Sequence, residues 1–125
     1  LLNIEANTMV YMARHLYLPA LSDYSGDLAT SVATKAEIGI EAKVEKELVR
    51  TLTEGMAQID AATAALESAN AAAREVEDPQ ARCDAYRDEV LPAMDALRAP
   101  VDAMEQICGA DYWPVPTYNK MLFWV

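Results

Sequence analysis

Few side chains in this sequence have the types and spacing that catalysis or metal binding requires. His15 is the only histidine, and its neighbours Arg14 and Leu16 offer it no partner for acid–base or metal chemistry. Cys83 and Cys108 form neither a Cys-x-x-Cys pair nor a Cys/His cluster, so we expect no structural zinc. Both lie on an apolar heptad row, which favours buried, inert thiols over nucleophiles. We therefore expect no catalytic, cofactor-binding or metal-binding residue in this chain.

The two cysteines also bear on the compartment. One continuous helix would separate Cys83 from Cys108 by about 37 Å, which is too far for a disulfide within one chain. We therefore expect both thiols to be reduced and the protein to be cytoplasmic.

Acidic residues are numerous, but their pattern is typical of a solvated helix surface. The formal net charge is -10, with 20 Asp and Glu against 10 Lys and Arg. The acids interleave with bases along two stretches: Glu41, Lys43, Glu45, Lys46 and Glu47, and Asp84, Arg87, Asp88 and Glu89. No segment is basic and no apolar run approaches the roughly 18 residues of a membrane span. We therefore expect neither nucleic-acid nor membrane binding.

The elements that must position these residues are helices. We predict a first helix over about 3–24 with Gly26 as its C-terminal cap, then a short helix over about 28–38 with Asp27 as N-cap. After a break at Gly39, a long helix is predicted over about 40–77. Asp78-Pro79 begins a third main helix that ends at about Ile107. The predicted fold is all-α: an antiparallel bundle of three main helices plus one short helix over 1–110, and an extended aromatic tail over 111–125.

Both later helices carry apolar heptad rows. In the earlier one the rows are Leu52, Ile59, Leu66 and Ala73, and Leu48, Gly55, Ala62, Ala69 and Val76. In the later one they are Cys83, Val90, Leu97 and Met104, and Met94, Val101 and Cys108. Small residues on one helix facing larger ones on the other allow close antiparallel packing. We expect Leu66 and Leu97 to be buried in this seam.

Three prolines, Pro19, Pro92 and Pro100, fall inside helical patterns and are expected to kink them. The first two share the context Arg-x-x-x-Leu-Pro-Ala. Two interpretations stay open: coincidence, or a joint bend of both helices around the bundle.

The segment 111–125 differs from the rest because it holds both tryptophans, the only phenylalanine and two prolines. So much aromatic surface is expected to dock on something. We expect Trp113 to dock near the first helix, because the third helix already covers the small-residue stripe of the second. Five further residues are expected to provide apolar docking contacts: Tyr118, Met121, Leu122, Phe123 and Trp124. Two docking surfaces stay open, the chain's own bundle or a neighbouring subunit or catalytic domain, and the last few residues are expected to depend on a partner.

Three segments, in this order, resemble the C-terminal region of type III glutamine synthetases. They are Asn3-Ile4-Glu5-Ala6-Asn7-Thr8-Met9 with Met12-Ala13-Arg14 and Leu18-Pro19-Ala20; Tyr86-Arg87-Asp88-Glu89-Val90-Leu91-Pro92-Ala93-Met94; and D-Y-W-P-x-P-x-Y-x-x-x-L-F from Asp111. These enzymes make glutamine from glutamate, ammonia and ATP through a γ-glutamyl phosphate. The resemblance implies that ATP and magnesium or manganese are bound by an upstream catalytic domain, and none of its binding residues has a counterpart here.

What the resemblance implies for this chain is a non-catalytic C-terminal domain, inactive alone. It would support packing on the upstream catalytic domain and on neighbouring subunits of a homo-oligomer. Leu1 is not an initiator methionine, so we expect the chain to be a fragment. The alternative is a stand-alone helical scaffold or adaptor whose tail binds a partner protein. Glu5 is interpreted either as a first-turn acid that favours the helix dipole or as a polar contact to the catalytic domain, and not as catalytic.

Overall fold

The computed structural model describes residues 1–116, and most of them lie in three long helices. The first consists of α1 (Leu2–Met12), a five-residue π turn (Ala13–Tyr17) and α2 (Leu18–Glu37). The second is α3 (Lys43–Arg74). The third consists of α4 (Pro79–Ala85), a second π turn (Tyr86–Val90) and α5 (Leu91–Ile107). No strand occurs in this part of the chain, which confirms the all-α prediction.

The second long helix lies between the other two and runs antiparallel to both. Its C-terminal part meets the start of the first helix, where the Asn70 side chain donates to Asn3 at 3.0 Å. Its N-terminal part meets the end of the first helix, where Lys35 pairs with Glu45. The first and third helices therefore run parallel to each other on two faces of α3.

The heptad rows of α3 and α5 form the core, as the sequence predicts. Leu66 and Leu97 are both fully buried, together with Leu52, Ile59, Ala73, Val90 and Met94, and Val101 and Met104 are buried to within 9% exposure. The close approach is clearest at Gly55, where an added Cβ would lie 2.1 Å from the Met104 sulfur. A small residue is needed there because the Met104 side chain fills the space against the backbone of α3.

The prediction that Cys83 is buried on the same row is wrong, because its side chain is exposed. Cys83 precedes the π turn Tyr86–Val90, whereas the buried heptad residues of the third helix begin within or after it. A π turn holds an extra residue, which shifts the register of the residues before it relative to those after it. Cys83 thereby leaves the seam with α3, while Cys108 stays buried.

The predicted break at Gly26 is also wrong. Helix α2 continues through Gly26 and Asp27 to Glu37, so the predicted short helix over 28–38 is the end of the first long helix. Gly26 costs helix stability but does not forbid a helix, and packing against α3 outweighs that cost. The chain turns at Gly39, as predicted, where φ is +76° and glycine is favoured.

The connection between the second and third helices follows the predicted chemistry. Helix α3 ends at Arg74, three residues before the predicted end, and Asp78 caps α4 by accepting a hydrogen bond from the Ala81 N–H at 2.8 Å. Pro79 occupies the first helical turn, as expected. The Arg82 guanidinium closes the connection by donating to the carbonyl of Val76 at 2.8 Å.

Both copies of the Arg-x-x-x-Leu-Pro-Ala context coincide with a π turn. Each turn ends two residues before the proline, and the Leu N–H donates five residues back, from Leu18 to the Ala13 carbonyl and from Leu91 to the Tyr86 carbonyl. A proline has no N–H and its ring crowds the preceding turn, so a wider turn there keeps the helix continuous. This finding favours a shared structural device over coincidence. Pro100 lies within α5 without such a turn.

Candidate functional site at the docked aromatic segment

Trp113 is the anchor of the segment that follows α5. Its ring stacks on Tyr17, with the ring centroids 5.1 Å apart and the planes 13° from parallel. Only 5% of Trp113 is exposed, and Val115 packs beside it against the same core. Tyr17 is the last residue of the first π turn, so the prediction that Trp113 docks on the first helix near its proline is confirmed. The aromatic segment therefore seals the seam between the first and third helices.

A tight turn after α5 brings Trp113 to this position. The helix ends at Ile107, and Cys108 is extended. The carbonyl of Gly109 then accepts hydrogen bonds from the N–H groups of Tyr112 at 2.9 Å and Trp113 at 3.2 Å. A Cβ on Gly109 would lie 3.1 Å from ring carbons of Tyr24 and Tyr112. Glycine thus lets the two tyrosine rings close over the turn.

Tyr112 ties the segment to α2 through a hydroxyl and a ring contact. Its OH donates to the Asp27 carboxylate at 2.6 Å, and its ring lies 4.9 Å from that of Tyr24. The hydrogen bond to Asp27 raises the pKa of Tyr112, and nearby negative charge acts in the same direction. Asp27, which the sequence suggested as a helix cap, therefore serves as the acceptor that holds the segment in place.

The stacked Tyr17 and Trp113 rings have both apolar side chains and carboxylates as neighbours. Burial raises the pKa of Tyr17, and the carboxylates of Glu105 and Asp102 raise it further. The indole N–H of Trp113 is buried and has no acceptor within residues 1–116. A groove of about 230 Å³ runs beside Tyr17 between the first and third helices, with Met9, Met12 and Val101 in its walls. The arrangement suits packing, with the Asp102 carboxylate at the edge of the groove.

The residues considered for chemistry lie apart from one another. His15 is exposed and has the ring of Tyr11 as its neighbour, with ring centroids 4.6 Å apart. Cys108 is buried, and burial raises the pKa of its thiol, which disfavours a reactive thiolate. Glu5 lies in the first turn of α1, where a carboxylate favours the helix dipole.

The carboxylates mostly lie on exposed faces and several pair with bases. The Glu67 carboxylate accepts hydrogen bonds from both terminal guanidinium nitrogens of Arg14, at 2.7 and 2.9 Å, and these bonds lower the pKa of Glu67. Arg87, which holds the same place before its proline as Arg14, pairs with Asp88 on its own helix. Within residues 1–116, no three His, Cys, Asp or Glu side chains come together in a way that could hold a metal ion. The donor set for a divalent metal is therefore not found among these residues.

Sequence reasoning missed a polar contact between the first and second helices. The buried Asn70 amide donates to Asn3 at 3.0 Å and to Asn7 at 3.2 Å, while its own oxygen meets no donor in the described part of the chain. The spacing of Asn3 and Asn7, one helical turn apart, is the signal that could have revealed a shared partner. This contact joins α1 to α3 at one end of the first long helix, and the Lys35–Glu45 ion pair joins α2 to the start of α3 at the other end.

The predicted docking residues Tyr118, Met121, Leu122, Phe123 and Trp124 lie outside the described residues. In the part of the chain that is described, no helix is both long and apolar enough to cross a membrane.

Comparison with known proteins shows a similarity over nearly the whole chain. No protein-family model matches the chain. A glutamine synthetase of Bacteroides fragilis (strain YCH46) is 24% identical over 126 aligned residues. The alignment covers 96% of this chain but only 17% of that enzyme, so the chain spans about one sixth of its relative's length. The chain therefore resembles part of a glutamine synthetase.

Proposed function

We propose that this chain is a non-catalytic C-terminal region of a glutamine synthetase, and that it supports packing on the catalytic domain and assembly of the oligomer. The observation that carries the proposal is the similarity along nearly the whole chain to one sixth of a glutamine synthetase. The three ordered segments that resemble the C-terminus of type III enzymes support a location at that end. In such an enzyme, ATP and a divalent metal would supply the phosphoryl-transfer chemistry elsewhere in the polypeptide.

The geometry of the described residues fits a supporting role. The polar pairs face solvent or join helices to one another, as Arg14 does with Glu67. Trp113, the largest aromatic side chain in residues 1–116, packs against Tyr17. A bundle whose first and third helices are joined by the packed Trp113 can present a fixed surface to a neighbouring domain. A fixed surface lowers the entropy lost on association.

The test is deletion of 111–125 in the full-length protein. We expect the oligomer to weaken or the glutamine synthetase activity to fall, since the catalytic domain keeps its own residues but loses its support. Light scattering, melting temperature and activity would be measured together. Trp113→Phe is the matched control, because it keeps a ring on Tyr17 and should change all three properties much less than the deletion does. Unchanged assembly, melting temperature and activity after the deletion would contradict the proposed role.

Two further measurements test the assignment itself. The 125-residue chain alone should show no turnover with glutamate, ammonia, ATP and magnesium; turnover that survives repurification would contradict a non-catalytic role. The gene should encode a glutamine synthetase catalytic region before Leu1. A start codon close to Leu1, with no such region, would leave the stand-alone helical adaptor as the better interpretation.

A further inference from the structure

The groove beside Tyr17 continues the seam in which Trp113 is docked. Tyr17 stacks on Trp113 and also lines the groove, whose other apolar walls include Met9, Met12 and Val101. Met9, Met12 and Tyr17 are half-buried, so the groove presents thioether and aromatic surface to water. The interface that the aromatic segment already makes is therefore continuous with an open apolar surface.

The contacts of the aromatic segment give the direction in which the chain runs along this seam. Tyr112 contacts the first long helix at Tyr24 and Asp27, whereas Trp113 contacts it at Tyr17. Successive residues therefore approach the start of that helix. The groove walls on the first helix lie before Tyr17, so they come next on this path.

The residues that follow have the length and the side chains to fill the groove. A helix rises about 1.5 Å per residue, so Met9 lies about 12 Å from Tyr17 along the first helix. An extended chain covers about 3.3 Å per residue, so about four residues span that distance. Val115 still packs against the core, and the stretch 118–122 comes soon after it with three apolar side chains. These are Tyr118, Met121 and Leu122.

The charge at the edge of the groove also matches this stretch. Asp102 lines the groove and forms no ion pair within residues 1–116. Arg98, which also lines it, pairs with Asp95 at 3.0 Å. The stretch 118–122 contains one base, Lys120, and no acid. A lysine can reach a carboxylate at the edge of an apolar groove while its neighbours are buried in it.

We propose that the stretch 118–122 docks in this groove of its own bundle, with apolar side chains against Met9 and Met12 and with Lys120 facing Asp102. The inference goes beyond the proposed function, because the contact forms within one chain and needs neither a catalytic domain nor a second subunit. Of the two docking surfaces that the sequence leaves open, it assigns this stretch to the chain's own bundle.

Lys120 is a built-in probe for this contact, because trypsin cleaves after lysine where the backbone is accessible. Cleavage after Lys120 would be followed by mass spectrometry in the 125-residue chain. Met12→Lys puts a charge in the groove wall and should speed this cleavage by about tenfold or more, since proteolysis follows the population of the open form. Tyr11→Lys is the matched control: Tyr11 is 60% exposed and does not line the groove, so the rate should not change. Equal rates in the natural chain and in folded Met12→Lys would overturn the inference.

A second measurement needs no variant in the groove. The ¹³C-labelled methyl groups of Met9 and Met12 should show nuclear Overhauser effects to protons of residues 118–122, and both signals should shift when 117–125 are removed. Met56, which lies on α3 outside the groove, is the control and should not shift. Absence of these effects in the folded 125-residue chain sinks the inference.

Two other outcomes also overturn the inference while the proposed function stands. Effects that vanish on dilution would assign the groove to a second copy of the chain. Protection of Lys120 from trypsin that appears only in the full-length protein would assign the stretch to the catalytic domain or to a neighbouring subunit.

Discussion

The rings of Tyr17 and Trp113 lie nearly parallel, 5.1 Å apart, and join the first π turn to the segment after α5. This contact makes the aromatic segment part of the bundle instead of an appendage to it. A tyrosine at the end of the π turn faces the seam, and the turn at Gly109 brings the indole to it.

Replacing Trp113 with alanine should therefore destabilise the whole bundle. We expect a loss of about 3–5 kcal/mol in the free energy of unfolding, from lost transfer energy and the cavity left behind. Trp113→Phe should cost much less, because it keeps the stack and removes an indole N–H that has no acceptor in residues 1–116. Urea unfolding of both variants measures the difference; equal losses would argue that the N–H is hydrogen-bonded and matters.

Leu66 and Leu97 should behave as core residues of the seam between α3 and α5. Both are fully buried, so truncation of either to alanine should cost about 2–5 kcal/mol. Val44→Ala is the control on α3, because Val44 is exposed and should lose less than about 0.5 kcal/mol. Chemical denaturation decides the matter, and a small cost at Leu66 would show the heptad register to be wrong.

The two glycines within helices should respond to alanine with opposite signs. Gly26 has open space around its Cα, so Gly26→Ala should stabilise the bundle by about 0.5–1 kcal/mol through helix propensity. At Gly55 the new methyl would lie 2.1 Å from the Met104 sulfur, and overpacking should cost about 1–3 kcal/mol. Thermal unfolding of the two variants tests this directly. Stabilisation by Gly55→Ala would mean that Met104 moves aside freely.

Much of the fold could be predicted from periodicity and capping chemistry. The heptad rows located the seam between α3 and α5, and Asp78-Pro79 located the start of the third helix, because both signals are local and strong. The register of Cys83 could not be predicted, since a π turn leaves no mark in a heptad count. The break expected at Gly26 failed because the packing of α2 on α3 overrides a single weak residue.

The candidate site was predictable in part. The aromatic content of 111–125 predicted docking. The third helix was expected to cover the small residues of α3, so Trp113 was predicted to dock on the first helix. The hydrogen bond from Tyr112 to Asp27 was not predictable, because it joins residues far apart in sequence through a turn of specific geometry. The same is true of Asn70 with Asn3 and Asn7, where only the tertiary fold reveals the shared partner.

The contact between Tyr112 and Asp27 should make docking of the aromatic segment sensitive to alkaline pH. The pKa of Tyr112 is raised above its ordinary 10.0, chiefly by its hydrogen bond to Asp27. A raised pKa means that the contribution to stability is fully present below pH 10 and is lost as the pH rises through the folded value, where a tyrosinate would face a carboxylate. Tyr112→Phe lacks the hydroxyl, so its stability deficit relative to the natural chain should be constant at neutral pH and shrink above about pH 10. Tyr17 and Cys108 are present in both the natural chain and Tyr112→Phe, so their titration cancels in the comparison. The difference between the two proteins in free energy of unfolding, measured with urea at each pH, therefore reports on Tyr112. A deficit that stays the same through this range would mean that the hydroxyl does not bond to Asp27 in solution.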